Sequence, residues 1–171
     1  MLPPPEQREA RLYDMLRRLG VAWHTIEHAP VFTVGESDAI YQRLSGCHTK
    51  NLFLKDRNDG LWLAVVQAHL KVDLPALAKA LGAPRFSFGS AELLEATLGI
   101  SPGSVTPFAL MNDTAHAVTV VLDAAMLQQD PLNFHPMRND RTTAIAAAGL
   151  VRFVEACGHT PRIVPIPEKV G

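Results

Sequence analysis

Apolar residues occur along the chain in short segments whose spacing separates helices from strands. Between residues 6 and 19, leucine and methionine recur at three- and four-residue spacing and Gly20 follows, which predicts a helix. The same criteria, with Gly, Pro and Ser as boundary signals, predict further helices at 36–44, 74–81, 91–98 and 150–156. Strands are predicted at 21–26, 49–55, 61–67, 85–88, 108–111, 118–122, 142–146 and 162–166.

The clearest predicted strand pairing is a hairpin. The apolar segments 49–55 and 61–67 flank the turn cluster DRNDG at 56–60, as in an antiparallel strand pair. Strands interleaved with helices at irregular spacing indicate a mixed α/β (α+β) fold with a largely antiparallel or mixed sheet. A chain of 171 residues fits one compact domain, which we expect to occupy residues 1–171.

The composition is that of an ordinary globular protein, with 47% hydrophobic and 19% charged residues. No apolar stretch approaches the ~20 residues of a membrane span, and the N-terminal MLPPPE lacks a signal-peptide pattern. We therefore expect a cytoplasmic protein without a membrane partner. The formal net charge is −1, whereas proteins that hold long duplexes by phosphate contacts are usually basic. Contact with a nucleic acid is therefore expected at a local patch or a chain end.

Lys50 and Asn51 form the first candidate site, at the start of a predicted apolar strand. A lysine there commonly extends from the edge of the core into water. Alternatively, its charge and the neighbouring amide hold an anionic or carbonyl-bearing ligand. Partial burial also lowers a lysine pKa, which suits a base or a Schiff-base nucleophile.

Two loops provide further candidates. The segment GSVTP at 103–107 is either a tight connection or a carbonyl-binding loop, because glycine lets the backbone approach a ligand closely. His135 lies in a segment rich in proline and polar residues, where binding sites concentrate. Its side chain is either a hydrogen-bonded structural group or a pocket residue that transfers protons.

Residues suited to metal or cofactor binding are scattered. His24 and His28 have ligand-pair spacing only on a helix, and this segment is predicted as strand and loop. The sequence contains no glycine-rich nucleotide-binding motif and no G-x-S-x-G. We expect neither a metal nor a cofactor.

Four motifs, taken in order, resemble a known family. They are HTKNLFLKD at 48–56, GSVTPFAL at 103–110, NFHPMRND at 133–140 and GHTPRIV at 158–164. Together they resemble the YbaK/prolyl-tRNA-editing superfamily, and more narrowly its freestanding PrdX/ProXp-ala branch. The resemblance extends from about residue 5 to residue 167 and implies a curved sheet flanked by helices.

The resemblance also implies an activity. Relatives of this branch are aminoacyl-tRNA deacylases that act in trans and hydrolyse alanine mischarged on proline tRNA. The functional lysine of the superfamily corresponds to Lys50, the following asparagine to Asn51, the editing loop to 103–107 and the pocket histidine to His135. The implied partners are the acceptor end of the tRNA and, as suppliers of substrate, prolyl-tRNA synthetase or an elongation factor.

These correspondences give each residue an expected role. Lys50, Asn51 and Gly103 are expected to act in catalysis, with water attacking an ester whose developing charge is stabilised by amides near Gly103. We expect His135, Phe32 and Val34 to bound the amino-acid pocket. Further expected substrate-binding residues are Pro30, Arg85, Ser104, Val105, Thr106 and Pro107.

Several alternatives remain open from the residues alone. One is a deacylase for cysteine, serine or threonine esterified to tRNA. Another is a tRNA- or synthetase-binding module without catalysis, and a third is an enzyme that forms a Schiff base at Lys50. Candidate phosphate contacts are Arg8, Arg11, Arg17, Arg18, Arg85, Arg138 and Arg141.

Overall fold

The computed structural model describes residues 2–30, 40 and 44–170. The helices in these ranges are α1 (Pro5–Arg18), α2 (Leu74–Leu81), α3 (Ala91–Leu98) and α4 (Ala147–Ala156), with short 3-10 helices at Pro107–Asn112 and Met126–Gln128. The strands are β1 (His24–Glu27), β2 (Cys47–Asp56), β3 (Leu61–Gln67), β4 (Phe86–Phe88), β5 (Val118–Asp123), β6 (Leu132–Phe134), β7 (Arg141–Ile145) and β8 (Arg162–Val164).

The described strands form one mixed sheet in the order β1-β7-β6-β2-β3-β5-β8, with β4 paired to β2. The pairs β1/β7, β6/β7, β2/β3 and β2/β4 are antiparallel. The pairs β2/β6, β3/β5 and β5/β8 are parallel. This arrangement confirms the predicted mixed α/β fold, and it places β2 near the middle of the sheet.

Apolar side chains cover both faces of the sheet. One face packs against α1, α3, α4 and the first 3-10 helix, with Phe53 and Phe108 among its buried residues. The other face packs against α2, with Leu54 and Leu77 buried there. Phe53 and Leu54 are neighbours on β2 and face opposite cores, as the two-residue period of a strand requires. By the same alternation, Lys50 belongs to the face of Leu54 and Asn51 to the face of Phe53.

Asp56 closes the β2–β3 hairpin. Its Oδ1 accepts hydrogen bonds from the amides of Asn58 and Gly60 at 2.8 and 2.9 Å, and its Oδ2 accepts one from Trp62 Nε1 at 2.9 Å. The bond from Trp62 and the two backbone bonds lower the pKa of this buried carboxyl, although burial opposes them. The turn fixes the register of the hairpin, in which Lys50 is opposite Val66.

Most predicted elements are confirmed, three of them to the residue: β3, α2 and α3. The predicted strand at 108–111 is wrong, because this buried apolar segment forms a 3-10 helix capped by Thr106, whose Oγ1 accepts from the Phe108 amide. The three-residue strand β6 was not predicted. The predicted helix at 36–44 lies almost wholly outside the described residues. No helix in the described ranges has the length and apolarity to cross a membrane.

Candidate functional site

Lys50 lies within β2 rather than at its start, because the strand begins at Cys47. Its side chain is partly buried, and Nζ donates a hydrogen bond to the carbonyl oxygen of Leu70. Burial lowers the pKa of this lysine from its ordinary value of 10.5. Among the described residues no carboxylate forms an ion pair with it. Lys50 is therefore a partly desolvated cation that is available to an anionic ligand.

Lys50 and Arg85 line the same cavity, which has a volume of about 470 Å³. The cavity lies beside the face of β2 that carries Leu52, and Leu74 of α2 contributes to its wall. Two residues that are distant in the sequence and were both expected to contact substrate thus meet on one surface. Neither His135 nor the 103–107 loop lines this cavity.

Asn51 belongs to the opposite face of β2 from Lys50, since successive strand residues alternate. Its Nδ2 donates a hydrogen bond to the carbonyl oxygen of Val105 at 3.0 Å. The Oδ1 atom is buried and accepts no hydrogen bond within the described residues. The two neighbouring side chains therefore do not hold one ligand from the same side. Asn51 instead ties the strand that carries Lys50 to the predicted editing loop.

The loop at 103–107 begins with a tight turn. The amide of Ser104 donates to the carbonyl of Ser101 at 3.1 Å, and Gly103 has φ of 91°. Proline at the second position and a residue with positive φ at the third are typical of a type II turn, which favours glycine. The sequence Ser101-Pro102-Gly103-Ser104 satisfies both requirements.

The backbone amides of this loop differ in their availability. The Ser104 amide is used within the turn, whereas the amides of Gly103, Val105 and Thr106 donate to no acceptor in the described part of the chain. Thr106 and Pro107 are buried and start the 3-10 helix, with Pro107 in its first turn. Of the three residues with such amides, only Gly103 and Val105 are partly exposed, so their amides are accessible to a carbonyl or an oxyanion.

His135 directly follows β6 and is partly buried. Its Nδ1 is 3.0 Å from the carbonyl oxygen of Arg141, which accepts a hydrogen bond when Nδ1 carries a proton. Burial lowers the pKa of this imidazole from its ordinary value of 6.5, and the hydrogen bond to Arg141 partly offsets that effect. The ring lies 6.3 Å from that of His28, measured between centroids. A neutral imidazole at neutral pH follows from this environment.

Parallel pairing connects the strand that carries Lys50 with the strand that precedes His135. Cys47 pairs with Leu132 and His48 with Asn133. Thr49 extends the contact, because its Oγ1 donates to the Asn133 carbonyl at 2.6 Å. Lys50 follows these pairs within β2, and His135 follows the last residue of β6, so the chain runs in the same direction at both positions. The parallel register thus places Lys50 and His135 beyond the same two residue pairs of β2 and β6.

The remaining predicted residues have different outcomes. Pro30 is exposed, two residues beyond His28. Phe32 and Val34 lie outside the described residues, so their expected place in the pocket stays a prediction. Within the described ranges no group of histidine, cysteine or acidic side chains has an arrangement that could hold a metal ion.

The comparisons with known proteins agree with the motifs. A family model described as "Aminoacyl-tRNA editing domain" matches residues 28–153. The chain belongs to the aminoacyl-tRNA editing family. The family resemblance read from the motifs is therefore confirmed, as is the predicted activity class, an aminoacyl-tRNA deacylase.

Curated relatives match nearly the whole chain. A prolyl-tRNA synthetase associated domain-containing protein 1 from Danio rerio is 39% identical, over 94% of this chain and 88% of its own length. The prolyl-tRNA editing protein ProX of Acetoanaerobium sticklandii is 31% identical, over 88% of this chain and 93% of its own length. A solved structure described as a candidate trans-editing enzyme for prolyl tRNA synthetase shares the fold at 16% identity, with a TM-score of 0.73 over 99% of this chain and 100% of its own.

Several arginines form contacts that the sequence did not predict. Arg138 and Arg141, expected as phosphate contacts, form ion pairs with Glu9 at 3.4 and 3.0 Å, and Arg138 also pairs with Asp140 at 2.5 Å. The Arg8 side chain is buried and donates to the carbonyl oxygen of Met137 at 3.1 Å. These guanidinium groups hold α1 against the segment between β6 and β7, which contains His135.

Sequence reasoning also missed residues that line the cavity beside Lys50. They include Lys71, Phe88 and Lys169. No motif joins these positions, which come from the segment before α2, from β4 and from the C-terminal segment. Phe88 was the one available signal, because it is an aromatic residue between a serine and a glycine in a short predicted strand. The sequence alone does not show that the Phe88 side chain is exposed.

Proposed function

We propose that the protein is a trans-acting editing deacylase that hydrolyses alanine from mischarged proline tRNA. The observation that carries the proposal is the hydrogen bond from Asn51 Nδ2 to the Val105 carbonyl at 3.0 Å. This bond joins the strand of the family lysine to the family loop. The choice of proline tRNA is supported by relatives whose names refer to prolyl-tRNA editing and to prolyl-tRNA synthetase.

The reaction is hydrolysis of the ester between the amino acid and the terminal ribose. A water oxygen bonds to the carbonyl carbon, the bond to the ribose oxygen breaks, and a proton passes to that leaving oxygen. We assign no acyl-enzyme intermediate, because none of the predicted site residues is a serine or cysteine paired with a histidine base. The neighbouring ribose hydroxyl is a candidate for assisting the proton transfer.

Lys50 is assigned the task of binding and orienting the substrate. Its partly desolvated ammonium group suits the terminal phosphate or the ribose, and a bound anion replaces the Leu70 carbonyl as its partner. Correct orientation of the ester towards water contributes to the rate, because a misplacement of 1 Å costs about 100-fold. The uncommitted amides of Gly103 and Val105 are assigned to the carbonyl oxygen, on which negative charge develops.

Selectivity for alanine requires a small pocket. A pocket that fits alanine excludes proline sterically, whereas one methyl group separates alanine from glycine by only about 1–3 kcal/mol. We place His135 at the boundary of this pocket, because it directly follows β6, which pairs with the strand of Lys50, and because it is held by the Arg141 carbonyl. Phe32 and Val34 are proposed as further boundary residues.

A deacylation panel tests the proposal. Proline tRNA charged with alanine, cysteine, serine, threonine or proline is incubated with the wild type, with Lys50→Ala and with Lys79→Ala, which removes an exposed lysine on α2 as a control. We expect the alanyl ester to be hydrolysed faster than the other esters. We expect this activity in the wild type and in the control Lys79→Ala, but not in Lys50→Ala. His135→Ala should extend hydrolysis to larger amino acids.

Each competing function predicts a different outcome of the panel. Faster hydrolysis of the cysteinyl, seryl or threonyl ester would replace the alanine assignment. Binding of uncharged tRNA without hydrolysis of any ester would indicate a binding module. Covalent trapping of substrate on Lys50 by borohydride would indicate Schiff-base chemistry. Prolyl-tRNA synthetase and an elongation factor remain the proposed suppliers of substrate, and pull-down of either by the wild type tests this.

A further inference from the structure

Four cationic side chains surround the cavity beside β2. They are Lys50, Lys71, Arg85 and Lys169, and we call this surface the basic groove. Its floor and walls are apolar and are formed by Leu52, Val72, Leu74, Pro75, Phe86 and Phe88. The groove therefore combines positive charge with an apolar surface in one concave site of about 470 Å³.

The side chains that line the basic groove carry an excess of positive charge. No acidic residue lines it, and its four cations form no ion pair in the part of the chain that the structure describes. The whole chain has a formal net charge of −1, so this positive site departs from the average of the molecule. Converging like charges repel one another, and such a site attracts anionic ligands.

The fold holds two of these lysines side by side. The amide of Lys169 donates to the carbonyl of Lys71 at 2.8 Å, and Val72 pairs with Glu168 in an antiparallel bridge. The C-terminal segment thus returns to the rim of the groove and brings Lys169 beside Lys71. Both residues are exposed, so their ammonium groups are accessible to a ligand.

Phe88 provides an aromatic surface at the same site. It is 64% exposed, although it lies on a strand that pairs with β2, opposite Leu54. An accessible aromatic ring beside unpaired lysine and arginine side chains is typical of sites that bind single-stranded nucleic acid, in which a base stacks on the ring and cations contact the phosphates.

We propose that the basic groove binds the single-stranded 3′ end of the tRNA, with a base stacked on Phe88 and backbone phosphates contacted by Lys71, Arg85 and Lys169. The inference rests on the proposed function, because Lys50 belongs to both the groove and the proposed deacylation site. From Lys50 to the position of Leu54 the strand extends about 13 Å. The groove therefore leads from the ester-binding end of the site towards the nucleotides that precede the terminal ribose.

The groove favours this occupant over two others. A double-stranded stem presents phosphates but no free base face, so it would leave Phe88 without a stacking partner. An acidic peptide would satisfy the cations but would not require an exposed aromatic ring beside them.

Binding measurements with three variants test the inference. Phe88→Ala and the double variant Lys71→Gln/Lys169→Gln alter the groove at exposed positions, and Lys79→Gln is the matched control on α2, outside the groove. The probes are a single-stranded RNA ending in CCA, intact uncharged proline tRNA, and the same tRNA without its CCA end. Affinity is measured by fluorescence anisotropy over a range of salt concentrations.

We expect Phe88→Ala to weaken binding of the single-stranded RNA by roughly 5- to 100-fold, as loss of one base stack does. The double lysine variant should reduce the slope of log K against log salt by about 1.4, since each lost phosphate contact on a single strand removes about 0.7. Lys79→Gln should match the wild type. Both groove variants should raise KM for mischarged tRNA with little change in kcat.

Other outcomes overturn the inference. Unchanged RNA affinity and salt slope in both groove variants would exclude the groove as the binding site, even if the wild type deacylates tRNA normally. Equal weakening for tRNA with and without CCA would place the contact elsewhere on the tRNA. Loss of synthetase binding with unchanged RNA binding would identify a protein partner instead. If the wild type hydrolyses no ester while the groove variants still lose RNA binding, the proposed function fails and the groove assignment survives.

Discussion

The hydrogen bond between Asn51 and Val105 yields the most specific prediction about the site. Asn51→Asp keeps the size of the side chain but replaces the Nδ2 donor with a carboxylate oxygen, which faces the Val105 carbonyl. Two acceptors then oppose each other where a donor and an acceptor met at 3.0 Å. We expect the 103–107 loop to move away from β2.

The size of the effect follows from the contact that is lost. Leaving a partly buried carbonyl without its partner costs about 1–3 kcal/mol of folding free energy. The effect on activity should be larger, because displacement of the loop by about 1 Å reduces the rate about 100-fold. We therefore expect kcat/KM for the alanyl ester to fall by about two orders of magnitude while the protein remains folded.

Asn112→Asp is a matched control. Asn112 is partly buried like Asn51, and its Nδ2 donates to the Leu98 carbonyl at 2.9 Å, a hydrogen bond that does not involve β2. Urea unfolding should show a loss of stability of similar size in both variants. Single-turnover hydrolysis should be slow in Asn51→Asp alone. Hydrolysis at the wild-type rate by Asn51→Asp would refute the role of this hydrogen bond in the site. Equal losses of hydrolytic activity in Asn51→Asp and Asn112→Asp would refute it as well.

Three further predictions concern the loop, the histidine and the ion pairs. Gly103→Ala should destabilise the protein by about 1–2 kcal/mol in urea unfolding, because alanine is strained at φ of 91°; unchanged stability would mean that the turn tolerates a side chain. Hydrolysis by the wild type should decrease as pH falls through the lowered pKa of His135, below its ordinary value of 6.5, because protonation charges a partly buried ring. The pH profile of kcat for His135→Asn should lack that decrease. A decrease of kcat at low pH in both the wild type and His135→Asn would contradict the assignment. Glu9→Ala should cost about 3 kcal/mol in thermal unfolding, because it removes the partner of two guanidinium groups, whereas Asp14→Ala, which breaks an exposed pair with Arg17, should cost under about 1 kcal/mol.

Elements with explicit boundary signals could be predicted from the sequence. Ser90 caps α3 through its side chain, and Gly82 and Gly99 end α2 and α3 in left-handed conformation. The 3-10 helix was mistaken for a strand, because a short buried apolar segment carries no periodicity that distinguishes the two. Thr106 followed by proline was the overlooked signal for a helical start.

The chemistry of the site was only partly readable from the motifs. Alternation along β2 separates Lys50 from Asn51, which follows from residue spacing once the strand is known. The meeting of Lys71 with Lys169 could not be predicted, because it depends on a backbone hydrogen bond between segments that are remote in the sequence. The ion pairs of Arg138 and Arg141 likewise depend on the packing of α1, which places Glu9 beside them.

The central claim is that Lys50 positions a mischarged tRNA for hydrolysis, and single-turnover deacylation of alanyl-tRNA(Pro) tests it most directly. The wild type, Lys50→Ala and Lys79→Ala are compared at saturating enzyme, with thermal unfolding measured on the same samples. We expect a loss of at least about 100-fold in Lys50→Ala, unchanged hydrolysis in Lys79→Ala and similar stability in all three. Hydrolysis at the wild-type rate by a folded Lys50→Ala would contradict the account.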